Sequence, residues 1–398
     1  MNKKYLIIAV ILSLAVGFAG GFYFQQYQIP LPIGRELINR DIGQPQGVDF
    51  GLFWKVWDLL QTRYVDKEQL DTQELVYGAI DGLVKAVGDP YTVFLKPKES
   101  ESFAQEISGS FGGIGIEIGI RNNALTVVTP LKNTPAERAG LLAGDRILKI
   151  GDKATEDMKV NEAVNLIRGP KGTPIRLTIG RDGVTKTKEV TIIRDTIRIP
   201  TVEWELLDDN TAYIQLFVFN KNVDADFRKI VREITNSKAD RIILDVRNNP
   251  GGLLDSAVNI ASYFLEPNTL ITKEKFSDGR ENEFRASANG QLKNYPLIVL
   301  INKGSASASE IVAGALKDNR GVTIVGEKSF GKGSVQELDE LPGKASVKIT
   351  IAKWFTPKGV SITDNGIEPD IKVERTEEDI NANRDPQLDK AKELARNL

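Results

Sequence analysis

The chain of 398 residues contains no histidine and no cysteine. Without imidazole there is no Ser-His-Asp triad, no Cys-His pair and no histidine-bearing zinc site. Without thiols there is no disulfide and no thiolate metal centre, which fits life outside the cytoplasm without proving it. A surplus of positive charge is missing too: 52 Lys and Arg face 54 Asp and Glu, a net charge of −2. Nucleic-acid binding needs a basic patch or a domain pI above ~9, so no nucleic-acid partner is expected. Internal repeats and low-complexity tracts are also lacking. What remains is 41% hydrophobic and 27% charged, an ordinary globular composition. At ~100–200 residues per domain it suits two or three domains. A nucleophilic serine in such a chain must take a carboxylate or an amine as its base, and a Ser-Lys pair does this without imidazole.

One long apolar run is present. Met1-Asn2-Lys3-Lys4 is a basic flank, and Tyr5 to Phe24 carries no charge over a length of about the ~20 residues a spanning helix needs. Positive charge ahead of the run leads the chain outward. The expectation is an uncleaved transmembrane signal anchor at 1–24, with the body outside the cytoplasm at the membrane face. A cleaved signal peptide is the alternative, since Gly17-Phe18-Ala19 places small residues near a cleavage site. Residues 25–48, with Pro30, Pro32 and Pro45, read as a linker.

Residues 49–108 read as helical: Phe53, Val56, Trp57 and Leu60 recur at helical spacing, as do Leu75, Ala79, Leu83 and Val87, until Gly88-Asp89-Pro90 breaks the pattern. Residues 109–194 read as a strand-rich module. Ile114, Ile116, Ile118 and Ile120 alternate with small or polar residues; strands are expected at 125–128, 175–180 and 188–193, and helices at 135–139 and 160–167. From 195 to 375 strands at 212–219, 241–246, 297–301, 322–325 and 345–351 alternate with helices at 224–235, 253–265 and 308–317. That alternation predicts an α/β layer architecture. In the polar tail, 376–398, Leu388, Ala391, Leu394 and Ala395 predict a short amphipathic helix suited to pack on a partner. Helical segments at both ends suit a homodimer, with a regulatory partner as a further expectation.

Phe111-Gly112-Gly113-Ile114-Gly115-Ile116 opens the strand-rich module. Glycines before a strand let several N–H groups form a nest for a carboxylate, with a peptide extending along the strand edge; plain turn geometry is the alternative. With Pro135-Ala136-Glu137-Arg138-Ala139-Gly140-Leu141 and Gly144-Asp145-Arg146-Ile147-Leu148, the module resembles a PDZ domain. Arg168 either relays ligand binding to another domain or is a solvated cation at a helix end.

Three segments carry candidate chemistry. In Gly304-Ser305-Ala306-Ser307-Ala308-Ser309-Glu310 the serines stand between a strand and an apolar helix, where N–H groups await a developing oxyanion. The same residues fit an S-x-x-E capping box, so Ser307 either attacks or caps. In Gly331-Lys332-Gly333-Ser334-Val335-Gln336 an extended chain would set Lys332, Ser334 and Gln336 on one face. Lys332 is a base only if burial lowers its pKa from ~10.4, with Gln336 able to hold the neutral amine; otherwise it is a surface lysine after a turn. Asp245-Val246-Arg247-Asn248-Asn249-Pro250-Gly251-Gly252-Leu253 is a strand-to-helix turn with glycine amides placed to serve as oxyanion donors.

Together with Gly88-Asp89-Pro90-Tyr91-Thr92 and Gly366-Ile367-Glu368-Pro369-Asp370, these segments resemble, over residues 50–375, the carboxyl-terminal processing peptidases, or tail-specific proteases. The resemblance implies a crotonase-like α/β core carrying an inserted PDZ domain, with N-terminal helices that often make dimer contacts. It implies Ser307 as nucleophile, Lys332 as general base, Gln336 as the orienting residue, and backbone oxyanion donors at Ala308 and at Gly251 or Gly252. It implies substrates with free apolar C-termini and requires no metal or cofactor. A non-catalytic PDZ adaptor and a crotonase-type thioester enzyme are the competing readings.

Overall fold

The computed structural model describes residues 47–398 apart from 122–123, 132, 182–185, 288–289 and 364. The expected anchor at 1–24 and all but the end of the 25–48 linker lie outside the described residues. Among those described, no helix is long and apolar enough to cross a membrane.

The chain divides into two units, ending and beginning at Thr72 and Gln73. In the first, α1 (Gly51–Arg63) carries the predicted apolar spacing but buries nothing. Its aromatics meet one another: the Phe53 and Trp54 rings are 4.8 Å apart, edge to face.

The helix α2 (Thr72–Lys85), in the second unit from Gln73 on, ends before the Gly-Asp-Pro turn. There the Asp89 carboxylate accepts from Tyr91 N–H and the Thr92 hydroxyl. β1 (Val93–Leu95) and α3 (Pro97–Ser108) follow. The strand-rich module then runs through β2 (Ser110–Gly113), β3 (Ile116–Arg121), β4 (Ala124–Pro130), α4 (Pro135–Arg138), β5 (Arg146–Ile150), β6 (Lys153–Ala154), α5 (Val160–Ile167), β7 (Pro174–Gly180), β8 (Lys188–Ile193) and β9 (Asp195–Arg198). Its main sheet has the order β3-β4-β5-β7-β8, so β3 is an edge strand. The period of two is plain in β8, where Val190 and Ile192 are buried and Glu189 and Thr191 exposed. Along the isoleucine ladder only Ile114 is fully buried; Ile116 and Ile118 pack partly and Ile120 is exposed.

The remaining strands are β10 (Val202–Leu206), β11 (Thr211–Leu216), β12 (Arg241–Asp245), β13 (Leu270–Phe276), β14 (Glu281–Arg285), β15 (Leu297–Ile301), β16 (Thr323–Gly326), β17 (Ser334–Glu340), β18 (Ser346–Phe355) and β19 (Ile371–Lys372). The helices are α6 (Val223–Thr235), α7 (Leu254–Phe264), α8 (Ala308–Arg320), α9 (Glu377–Asn381) and α10 (Pro386–Ala395). A six-stranded sheet, β10-β11-β12-β15-β16-β19, is parallel except for β10. Its continuous apolar strands serve two faces, as parallel strands buried on both sides do. Ile242, Leu244, Val299 and Ile301 join the inner faces of α6, α7 and α8 in the main core. Ile243, Ile298 and Leu300 turn to Ala391 and Ala395 of α10. The C-terminal helix therefore packs on its own sheet, not on a partner, because that second apolar face needs a cover.

A second sheet, order β1-β18-β13-β14 with β17 also on β18, is antiparallel. The hairpin of β13 and β14 has no counterpart in the sequence-based expectation. The strand expected at 212–219 stops at Leu216, and Phe219 instead bridges to Gly252.

Candidate active site

In a parallel sheet the turns after the strand C-termini gather at one edge. Here the turn after β12 and the turn after β15 meet there. Ser305 and Ser309 are both fully buried. The Ser305 hydroxyl donates to Val246 O at 2.7 Å and accepts from Asn302 N–H, while the Ser309 hydroxyl donates to Asn249 O at 2.9 Å. These two serines stitch the loops together. Ser307 faces the other way, into a cleft of about 820 Å³ that Lys332, Gln336 and Gly252 also line.

Ser307 occupies the N-cap position of α8 with φ 54° and ψ −114°. A non-glycine residue in that region costs on the order of 1–3 kcal/mol and persists only when its surroundings over-determine it. Glu310, one turn on and fully buried, supplies the restraint. Its Oε2 accepts from Ser307 N–H at 2.8 Å and from Lys332 N–H at 2.9 Å. Its Oε1 accepts from Gly331 N–H at 2.7 Å and from the Ser329 hydroxyl at 2.6 Å. One carboxylate thus holds the backbone of both candidate catalytic residues. Burial raises its pKa, against the lowering effect of those four bonds. Ser329 passes the connection on by accepting from Ile367 N–H at 2.6 Å, which gives the Gly366-Ile367 segment its place. The sequence pattern marks Glu310 only as a cap; its bonds to the Gly331 segment join parts of the chain that are distant in sequence.

The two glycines of the β12 turn differ. Gly251 N–H donates to the Asn249 side chain at 2.9 Å, and Gly251 O accepts from Phe219 N–H. Leu253 N–H donates to Phe219 O, which leaves Gly252 N–H on the opposite side of that bridge. A Cβ at Gly252, whose φ is +139°, would lie 2.1 Å from Phe219 O. A Cβ at Gly251 would lie 2.8 Å from Ser307 Cβ and 2.9 Å from Ala308 N, a measure of how close this turn comes to the serine. Ala308 is the first residue of α8, so its N–H has no acceptor within the helix.

Lys332 precedes β17 and is half-buried, with Nζ 5.2 Å from the centre of the Tyr91 ring. Burial and then the charge of Lys348 lower its pKa, while Glu310 and Asp89 act upward. Gln336 donates to the Ser334 hydroxyl at 2.6 Å, and no hydrogen bond joins it to Lys332. A β-bulge between Val335 and Gln336 shifts the register there. The expected common face is therefore realised for Ser334 and Gln336, with Lys332 reaching the cleft from outside the strand.

In the PDZ module, Phe111, Gly112 and Gly113 lie in β2, paired with β9, and not in an open loop. Gly112 O accepts from Gly169 N–H, and a Cβ at Gly112 would lie 2.1 Å from Gly169 O. Ile114 and Gly115 connect to β3, and of Gly112, Gly113 and Gly115 only Gly115 has a positive φ, +77°. Ile116 begins the edge strand, beside which α5 packs. Arg168 is not a solvated helix-end cation. Its guanidinium lies 4.2 Å from the centre of the Phe111 ring, its Nη1 4.0 Å from Glu106 Oε1, and its Nε is buried without a partner. It lines a second pocket of about 540 Å³ together with Ser102 and Gln105 of α3. Phe103 and Ile107 of the same helix line the cleft of Ser307.

Comparison with known proteins agrees with this architecture. Residues 210–373 match the model of peptidase family S41, residues 126–181 that of the PDZ domain, and residues 38–99 that of the activating protease CtpB N-terminal domain. The carboxy-terminal-processing protease of Bartonella bacilliformis is 39% identical over 81% of this chain and 74% of its own length. Carboxy-terminal processing protease CtpA of Bacillus subtilis is 36% identical over 80% and 68%. The solved structure of a photosystem II D1 C-terminal processing protease, 30% identical, covers 82% of this chain and 89% of its own, with a TM-score of 0.51. The chain belongs to peptidase family S41, as a serine-type carboxy-terminal processing protease with a PDZ domain.

Proposed function

We propose that this protein captures the free, apolar C-terminus of an extracytoplasmic protein in its PDZ module and cleaves near that tail with a Ser307-Lys332 dyad. The observation that carries the reading is one cleft holding both residues, with Lys332 half-buried and, among the described residues, without a carboxylate partner. Neutral Lys332 removes the Ser307 hydroxyl proton as Oγ bonds to the scissile carbonyl carbon. Gly252 N–H and Ala308 N–H receive the oxyanion; of the two glycines, Gly252 is favoured because the Gly251 N–H is engaged by Asn249. Lys332 returns the proton to the departing amine as the C–N bond breaks. It then takes a proton from the water that attacks the Ser307 ester and delivers it to Ser307 Oγ as the acyl C–O bond breaks. Gln336 orients this pair as in the family, and its loss costs less than loss of either dyad member.

Capture by β-strand addition is supported by the free edge of β3 beside α5, with Gly113-Ile114-Gly115 at its head. A relay through Arg168 is supported by α3, one helix that lines both the Arg168 pocket and the catalytic cleft. The core is read as crotonase-like, residues 1–24 as the membrane anchor, and the protein as a homodimer open to a regulatory partner.

The test incubates the protein and its Ser307→Ala and Lys332→Ala variants with an unfolded protein ending in an apolar tail, followed by mass spectrometry. Cleavage by the parent alone is expected, and it should fall when the substrate C-terminus is amidated. Cleavage by Lys332→Ala at the parent rate would remove the dyad. Binding without cleavage by any form would make the protein a tail-binding adaptor.

A further inference from the structure

The catalytic cleft holds a second lysine. Lys348 stands opposite Leu338 in the β17–β18 ladder, and both line the cleft with Lys332 and Gln336. Partners across a ladder share a face, so Lys348 is a diagonal neighbour of Gln336. Other buried cations have acceptors: Arg247 pairs with the carboxylates of Asp245 and Asp385, and Arg320 donates to the carbonyl oxygens of Phe264 and Tyr295. Neither Lys332 nor Lys348 forms an ion pair or side-chain hydrogen bond among the described residues. Each lies over an aromatic face instead, Lys332 over Tyr91 and Lys348 5.4 Å from the centre of Phe103. Two half-buried cations in one cleft, neither neutralised, are costly to keep near one another, and such costs gather where a pKa must be shifted.

The charges around Lys332 come from several elements. Glu310 faces it from α8, Asp89 and the Tyr91 phenol from the turn before β1, and Lys348 from β18. Glu106 of α3 acts on Lys348, and the cleft wall also carries Lys221, Asp224 and Asp255. Glu310 and Asp89 favour a proton on Lys332, which the reaction must avoid. Lys348 is the cation that opposes them. We propose that Lys348 is a positioning residue acting through charge: it disfavours the Lys332 ammonium and so maintains the base in its neutral, reactive form. This rests on the reading of Lys332 as general base. After burial, the Lys348 charge is the next largest influence lowering the Lys332 amine. Burial lowers Lys348 as well.

The sign of the effect is definite. Below its pKa the neutral fraction of an amine falls tenfold for each unit by which that pKa rises. Removing the Lys348 charge raises the Lys332 pKa and moves the ascending limb of kcat/KM to higher pH. The experiment measures kcat/KM from pH 6 to 10 for the full chain and its Lys348→Met, Lys348→Glu, Lys348→Arg and Lys332→Ala variants, with thermal melts to confirm folding. Lys348→Met is expected to move the limb up by about one pH unit. That is about a tenfold loss below both midpoints, with the alkaline plateau regained. Lys348→Glu should move it further, and Lys348→Arg should leave it in place. If Lys348→Met does not fold, Lys348→Gln takes its place. An unmoved limb in folded variants, with the loss equal at every pH or confined to KM, overturns the proposal and makes Lys348 a structural or substrate-binding group. Turnover by Lys332→Ala would instead overturn the dyad itself.

Discussion

Two glycine turns in this chain look alike in sequence and are used in opposite ways. In Phe111-Gly112-Gly113 the glycines are laddered into β2, and Gly112 lacks a side chain because the Gly169 carbonyl lies where a Cβ would go. In Asn249-Pro250-Gly251-Gly252 one amide is taken by Asn249 and the next is turned toward the cleft of Ser307. A glycine pair announces that backbones come close. Where the N–H groups point depends on what the flanking carbonyls have already bonded.

That contrast can be broken at three places. Gly252→Ala should have the largest effect. It meets Phe219 O, strains a φ of +139°, and displaces the proposed oxyanion donor, and loss of one such donor costs ~10²–10³-fold in kcat. A kcat within tenfold of the parent would exclude Gly252 as a donor. Glu310→Gln should come next. Its amide group must face at least one backbone N–H that a carboxylate oxygen now accepts, a mismatch of about 1–3 kcal/mol. The expected result is a lower melting temperature and a kcat down by at least about tenfold with KM little changed. A lowered melting temperature with kcat intact would reduce Glu310 to a folding role. Gly112→Ala should have the smallest effect on chemistry. It should lower the melting temperature and weaken tail binding by calorimetry, with a larger loss on a tailed protein than on a short peptide. Equal losses on both would mean that this turn serves the core instead.

Much of the fold was legible locally. Strand and helix periods located most elements of the PDZ module and the parallel sheet to within a few residues, because alternation along a strand is set by its two faces. The hairpin of β13 and β14 was not legible. Leu270-Ile271-Thr272-Lys273-Glu274-Lys275-Phe276 has no clean alternation, and besides β14 the strand pairs with β18, which lies far along the chain. The C-terminal helix was found but given the wrong surface. Its small residues Ala391 and Ala395 fit a sheet face that the sequence does not reveal as uncovered. Arg247 belonged to a motif on the page, yet its salt bridges to Asp245 and Asp385, which tie the glycine turn to that helix, appear only in three dimensions.

The sequence by itself determined the chemistry open to this protein: without histidine or cysteine, a nucleophilic serine had to work with an amine or a carboxylate, and the ordered segments from Gly88 to Asp370 pointed to a tail-specific protease. The tertiary structure decided which hydroxyls are tied down and which faces the cleft, which glycine amide is left to bind, and which carboxylate holds two distant segments together. The physical reason is range. Residue type and periodicity act over a few neighbours, whereas hydrogen-bond partners and the field at an amine are set by groups brought together from far along the chain.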